Sequence, residues 1–320
     1  MKPQVWERLD VSAWEVVGRQ QTGSTENLWL ADPDSQVWWL HKDTVIPRNG
    51  VEQGEDWSEV ASTQVARILG VPCATTRLCI REGRRGSLSK TVRPVDADLW
   101  EGQVVLQDLG VPDYFPHTED RPGVDPSRPK VKRPGHSLPN IKRALDATAP
   151  PPGFDGPAAL SGFDVFAGYL LLDALIANRD RHEQNWAVLI PRLLDPPKRL
   201  SPSYDHASSL GYNLTDDKRL TYLRSDAELA NWASKGTAYR FEHQGRPPTL
   251  VAHAMNAVGL CSPEGADWWR SRIGTLDLRE LTEALLAQDI EGLSHLAATF
   301  ACELLNTNLR RLRDAVHERS

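Results

Sequence analysis

The sequence predicts an α+β fold in two lobes, a small strand-rich one over residues 1–106 and a larger, mainly helical one over 107–320. Three observations predict it. Short apolar runs broken by turn residues fill most of the first hundred positions. A stretch rich in proline, glycine and charge, Pro112–Pro139, then interrupts the chain. Beyond Pro157 the apolar residues recur at helical spacing. At 320 residues, 40% hydrophobic and 25% charged, the chain is long and apolar enough to bury a sizeable core.

The elements follow in order. Val11–Val17 is an apolar–polar stretch that leads into a glycine-containing turn, Gly18–Thr25. Asn27–Leu30 and Gln36–His41 read as a hairpin around Pro33-Asp34, with Lys42 at its end. Val60, Ala61, Val65, Ile68 and Leu69 predict a helix over Trp57–Leu69, stopped by Gly70 and Pro72. Strands are expected at Ala74–Ile80 and Gly86–Thr91, and a short apolar one at Gln103–Leu106. Leu138–Thr148 reads as a helix. Phe163, Phe166, Tyr169 and Leu170 mark an apolar helix ending near Asn178. A last helix spans about Ile290–His317, with Leu293, Leu296, Phe300, Leu304 and Leu312 on its buried face.

Composition excludes some functions. The formal net charge is -6, so nucleic acid is an unlikely partner. Arg128–Arg133 is a local basic patch that could dock a partner, but a solvated excursion is the expectation. No apolar run approaches the ~20 residues that span a bilayer, and the N-terminus lacks a signal-peptide stretch, so no membrane partner and a cytoplasmic location are expected. Cys73, Cys79, Cys261 and Cys302 form no C-x-x-C pair and read as reduced thiols.

The chemistry concentrates in Asn178-Arg-Asp180-Arg-His182-Glu-Gln-Asn185, a polar run between an apolar helix and the apolar strand Trp186–Ile190. Asp180 and Asn185 stand five apart, so one can act on a hydroxyl while the other's amide oxygen reaches a metal. That is the D-x-x-x-x-N spacing of kinase catalytic loops. Twenty residues on, Asp205 follows an expected strand, Leu200–Tyr204, where a carboxylate would hold Mg²⁺ against phosphates. Lys42 at a strand end and Glu59 on the following helix are placed to form the lysine–glutamate pair that orients ATP. Gly18–Thr25 could cover phosphates with backbone N–H groups, although it matches neither glycine-rich fingerprint. His182 reads as a structural member of the site, and Arg179 and Arg181 as solvated or phosphate-binding cations.

On these residues the chain resembles the HipA-like serine/threonine kinase family. The specific matches are N-R-D-R-H-E-Q-N at Asn178–Asn185 and Y-D-H-A-S-S-L-G at Tyr204–Gly211. Softer ones are W-W-L-H-K at Trp38–Lys42, G-E-D-W-S-E-V-A at Gly54–Ala61 and the closing Leu304–Val316. Bacterial phosphatidylinositol-kinase-like proteins share a related N-x-D-x-H-x-x-N signature.

The resemblance implies a bilobal protein-kinase-like fold with ATP and Mg²⁺ as cofactors. It implies Asp180 as the residue that orients or deprotonates the acceptor, with His182 supporting it. It implies Asn185 and Asp205 as metal ligands, and Lys42, Glu59, Ser24 and Thr25 around the phosphates. The hinge would fall at Val104–Asp108, with Gln107 and Asp108 near adenine.

The chain is too short for the extra N-terminal region of the larger toxin members, so toxin activity and an antitoxin partner are not carried over. The expected acceptor is a protein Ser or Thr, including the chain's own Ser87, Ser89 or Ser137. The alternatives are a small molecule or lipid headgroup, AMP transfer by the same fold, and a non-catalytic nucleotide-binding module. Acceptor specificity is expected within Gly211–Arg246, which includes Asp216-Asp-Lys-Arg219.

Overall fold

The computed structural model describes residues 5–22, 25–48, 50–111, 113–117, 123–193, 196–287 and 289–318. It opens with β1 (Leu9–Asp10), β2 (Glu15–Thr22), β3 (Thr25–Ala31) and β4 (Trp38–Asp43), followed by helix α1 (Glu55–Leu69). β5 (Thr76–Arg81) and β6 (Arg84–Lys90) complete a six-stranded sheet of order β1-β5-β6-β4-β3-β2. Only the β1–β5 pairing is parallel. Gly18 lies inside β2, beside a register shift between Val16 and Gly18, and not in the expected turn. The ladder to β3 resumes at Gly18 and runs on through Thr22, so the strand continues through a bulge.

β7 (Ala97–Glu101) runs straight into α2 (Gly102–Asp108). The strand expected at Gln103–Leu106 is therefore helical. Four apolar-rich residues fit either period, and here Val105 and Leu106 face the core while Val104 and Gln107 stay exposed. Gly102 marks the junction: a Cβ there would come within 2.1 Å of the Trp186 indole. Its N–H donates to the Trp186 carbonyl at 2.8 Å.

After β8 (Val131–Lys132) and α3 (Leu138–Leu145) comes α4 (Gly162–Ile176), every residue of which is buried. A reciprocal Ser161–Asp164 capping box starts α4, and Ala177 ends it in the left-handed region. β9 (Ala187–Pro191) pairs with both β7 and β10 (Arg199–Leu200), giving a second sheet of order β10-β9-β7. The strand expected over Leu200–Tyr204 shortens to this pair of residues plus a bridge from Ser203 to Cys73. The remainder is helical: α5 (Asp216–Tyr222), α6 (Asp226–Ser234), α7 (Leu250–Leu260), α8 (Pro263–Thr275), α9 (Arg279–Ala287) and α10 (His295–His317). β11 (His243–Gln244) interrupts them to pair with β8.

The main core joins α1 to the helical part: Trp57, Val60 and Val65 share one cluster with Phe163, Phe166 and Leu172 of α4. A smaller core holds Val11, Leu30, Trp39, Cys79 and Leu88 of the first sheet. All four cysteines are free, and burial pushes the Cys73, Cys79 and Cys302 thiols up to about 12. Among the described residues no helix is long and apolar enough to cross a membrane.

Candidate active site

The polar loop Asn178–Asn185 hangs from the end of α4 and is fastened from below by a buried ion pair. Arg181 donates through Nε and Nη2 to the two carboxylate oxygens of Asp173, both at 2.8 Å, and through Nη1 to the Asn185 carbonyl at 2.7 Å. Both side chains are 2% exposed. Asn178 Nδ2 also donates to Asp173 Oδ1, and its own Oδ1 receives the Asp180 N–H. Arg181 is therefore a fastener of the loop and is not free to meet a phosphate. Arg179 is exposed, with its guanidinium 5.3 Å from the Tyr239 ring centre.

The loop then folds on itself. His182 N–H donates to the Asp180 carbonyl at 2.7 Å, as does Asn185 Nδ2 at 2.8 Å. The Asn185 amide nitrogen is thereby engaged, and no hydrogen bond to its Oδ1 is formed among the described residues. His182 Nδ1 accepts from Gln184 N–H at 3.2 Å. The neutral ring thus carries its proton on Nε2. Burial, the largest influence, lowers the His182 pKa and favours that neutral form.

Asp205 reaches the same place from the other side. Its φ is +61°, a conformation that Asp and Asn tolerate better than most side chains. Lys42 Nζ on β4 donates to Asp205 Oδ1 at 2.8 Å. Burial opposes both charges, but the pair outweighs it: the Lys42 pKa is raised and the Asp205 pKa lowered. Tyr204 OH donates to the Gln184 carbonyl at 2.9 Å, tying the Asp205 segment to the loop.

Glu59 does not hold Lys42 directly, as the order of the two residues had suggested. Its Oε2 accepts the His206 N–H at 2.6 Å, and His206 Nε2 in turn bonds Ser203 Oγ at 2.8 Å. The α1 glutamate thus anchors the residue after Asp205, and acts on Lys42 only as a nearby charge that helps raise its pKa. Ser203 engages His206 Nε2, while the buried Nδ1 faces Glu59 Oε1 at 3.6 Å without a hydrogen bond.

A cleft of about 960 Å³ opens between the lobes. Lys42, Glu59, His182, Asn185 and Asp205 all line it. Trp29 and Trp38 line its β-sheet side, and Ser87 and Ser89 of β6 face it as well. Its far end is formed by Asp98–Glu101 of β7 and by Gln103. The cleft's edge there comes from β7 and the start of α2, and of the expected hinge segment Val104–Asp108 no residue lines it. Gln107 and Asp108 are exposed on α2 and do not line the cleft, because the segment is helical and turns them outward. Ser24 and the Thr25 side chain lie outside the described residues.

Asp180 is not among the lining residues. Its carboxylate meets Arg240, whose Nε and Nη2 both lie within 2.7 Å of Oδ1. Nothing local in the sequence marks Arg240, sixty residues downstream, although it falls within the stretch expected to select the acceptor. Asp216 and Arg219 of that stretch pair with each other at 2.8 Å. In the basic patch Arg128 pairs with Asp113, Asp125 and Glu242, and Arg133 with Glu183, while Lys130 and Lys132 are exposed.

The donor set suits a hard cation. Asn185 offers an amide oxygen and Asp205 its second carboxylate oxygen, on a cleft wide enough for a nucleotide whose phosphates would complete the shell. Among the described residues no group of three or more His, Cys, Asp or Glu forms a self-sufficient metal cage.

No protein-family model matches the sequence, and no curated protein matches it. Solved structures do resemble the fold. The proinflammatory kinase CtkA of Helicobacter pylori superimposes with a TM-score of 0.68 at 15% identity, covering 98% of each chain. HipA of the Shewanella oneidensis toxin–antitoxin system superimposes with a TM-score of 0.50 at 14% identity, covering 98% of this chain and 70% of that one. The α+β, kinase-like fold implied by the sequence resemblance is the fold observed.

Proposed function

We propose that the protein is an ATP- and Mg²⁺-dependent phosphotransferase that moves the γ-phosphoryl group to a hydroxyl, with a protein Ser or Thr as the expected acceptor. The observation that carries this reading is the Lys42–Asp205 ion pair, set in the cleft beside Asn185. A cation for phosphates and two oxygen donors for a metal stand together there, contributed by three separate parts of the chain.

Lys42 binds the α/β-phosphates once it is released from Asp205. Mg²⁺, held by Asn185 and Asp205, would neutralise the phosphate oxygens and so ease transfer. Asp180 orients the acceptor hydroxyl and takes its proton. A bond forms between the acceptor oxygen and the γ-phosphorus, the bond from that phosphorus to the ADP oxygen breaks, and ADP leaves with the electron pair. Trp29, Trp38 and the β7 edge hold the base and ribose side of the nucleotide.

The test is transfer of label from ATP labelled at either the α- or the γ-phosphate, with Mg²⁺. Wild type is expected to transfer the γ label, and Asp180→Ala to lose about 10²–10⁴-fold of that rate with the fold intact. Transfer of the α label in its place would identify an AMP-transferase. Nucleotide binding without transfer of either label would identify a binding module.

A further inference from the structure

The carboxylate of Asp180 is held by one side chain among the described residues, and by one of its two oxygens. Arg240 Nε donates to Oδ1 at 2.7 Å and Nη2 lies 2.6 Å from the same atom. The remaining bonds of Asp180 are made by its backbone, to Asn178 Oδ1, His182 N–H and Asn185 Nδ2. Among the described residues both contacts to the carboxylate fall on Oδ1 and none on Oδ2. Without Arg240 the carboxylate would be free to rotate about its side-chain torsions.

Arg240 is itself held in place. Its carbonyl accepts from His136 Nδ1 at 2.8 Å, and His136 Nε2 faces Trp186 Nε1 at 3.2 Å. An indole N–H only donates and a carbonyl only accepts, so the contacts fix His136 as the neutral ring protonated on Nδ1. Its ring is fully buried and stacks on Phe241 at 4.6 Å, with planes 14° apart. The Glu242 N–H returns to the His136 carbonyl at 2.8 Å. The Arg240 guanidinium rests 5.0 Å from the centre of the Tyr239 ring. Trp186 directly follows Asn185. One buried histidine therefore sets the turn that carries Arg240 relative to the loop that carries both Asp180 and Asn185.

We propose that Arg240 is a positioning residue for phosphoryl transfer: it grips Oδ1 of Asp180 and leaves Oδ2 presented to the acceptor hydroxyl. The proposal rests on the kinase reading above. Its Nε and Nη2 converge on Oδ1 from one rigid guanidinium and pin that oxygen in place, a geometry that a single lysine ammonium would not reproduce. Misplacement of a reacting group by about 1 Å can cost on the order of 10²-fold in rate. The pair is about one-quarter to one-third exposed, with side-chain accessibilities of 27% and 30%, so its removal should cost little stability.

The experiment measures γ-phosphoryl transfer from Mg²⁺–ATP to the chain itself and to water, in wild type and in Arg240→Ala, Arg240→Gln and Arg240→Lys, with Asp180→Ala and the Asp180→Ala/Arg240→Ala double variant alongside. Expected are a kcat at least about tenfold lower for the Ala and Gln variants, a KM for ATP within about twofold, and partial rescue by Lys. In the Asp180→Ala background, Arg240→Ala should change the residual rate by less than about twofold, because the two residues act as a unit. Arg240→Ala with wild-type kcat would overturn the proposal, as would an equal loss in both backgrounds. A wild-type chain that transfers no γ-phosphoryl group would overturn the kinase reading as well, which separates the two failures.

Discussion

Lys42 and Asp205 neutralise each other across the cleft, at 2.8 Å. Under the proposed function, each is the group that the other would leave for phosphates or a metal. The ion pair is about a quarter to a third exposed, at 26% and 32%, so it contributes no more than about 1 kcal/mol to stability.

The first prediction follows from that competition. Lys42→Ala frees the Asp205 carboxylate, so Mn²⁺ used as a probe should bind the nucleotide-free protein more tightly, by about two- to fivefold. Transfer from ATP should fall by about 10²-fold or more, because a cation aimed at the phosphates is gone. Titration by electron paramagnetic resonance reads the first effect and labelled ATP the second. Weaker Mn²⁺ binding in Lys42→Ala would mean that Asp205 is not the metal ligand.

Asp205 itself allows a separation of chemistry from backbone strain. Its φ of +61° is tolerated by Asn but costs Ala about 1 kcal/mol or more. Both Asp205→Asn and Asp205→Ala should abolish Mg²⁺-dependent transfer. Only the alanine variant should also lose about 1 kcal/mol in urea unfolding. Equal stabilities would show that the left-handed backbone there carries no cost.

The parts of this site that were legible in the sequence are those written locally. Asp180, Asn185 and Asp205 stand in polar runs flanked by apolar segments, and such runs become loops on a buried scaffold. The course of α2 was not legible, since Val104, Val105 and Leu106 suit a strand as well as a helix, and the choice falls to packing around Gly102 and Trp186. The outward turn of Gln107 and Asp108, away from the cleft, follows from that one ambiguity. The partner of Glu59 is a backbone N–H at His206, 147 positions away, and a sequence holds no sign of a contact made to backbone. Arg240 was hidden for the same reason: its meaning comes from where His136 places its turn.

A third prediction concerns acid. His136 and His253 are buried and neutral, and burial lowers the pKa of both; His253 is pushed down to about 3. The unfolded chain takes up protons on these rings near the ordinary value of 6.5, while the folded chain does not. The unfolded state then binds more protons, so stability is intact above pH 6.5 and is lost progressively as pH falls. At pH 5.5 His253 alone should account for about 1.4 kcal/mol. His253→Phe keeps an aromatic ring against Phe241 and should flatten the stability profile between pH 7 and pH 5, as read by denaturant unfolding at each pH. An unchanged slope would place a proton on the buried ring or the loss elsewhere.

The last prediction separates the two charged residues that stand side by side at the start of the loop. Asp180 is partly exposed, and its loss should change stability by less than about 1 kcal/mol while removing activity. Arg181 is 2% exposed and satisfies both oxygens of Asp173 and the Asn185 carbonyl. Arg181→Ala would leave the Asp173 carboxylate buried without its counter-charge, at a cost of about 3–5 kcal/mol. That is a large part of the roughly 5–15 kcal/mol that holds a typical domain folded. Arg181→Lys should recover little of it, since one ammonium cannot reproduce three fixed N–H contacts. The double variant Asp173→Leu/Arg181→Met should be more stable than Arg181→Ala, because no unpaired ion remains in the core. It should nevertheless transfer phosphoryl groups poorly, since the Asn185 carbonyl has lost the tie that sets the metal-binding amide. Chemical denaturation of the four proteins, read beside their activity, decides it: a stable, fully active double variant would show that the loop is positioned without Arg181.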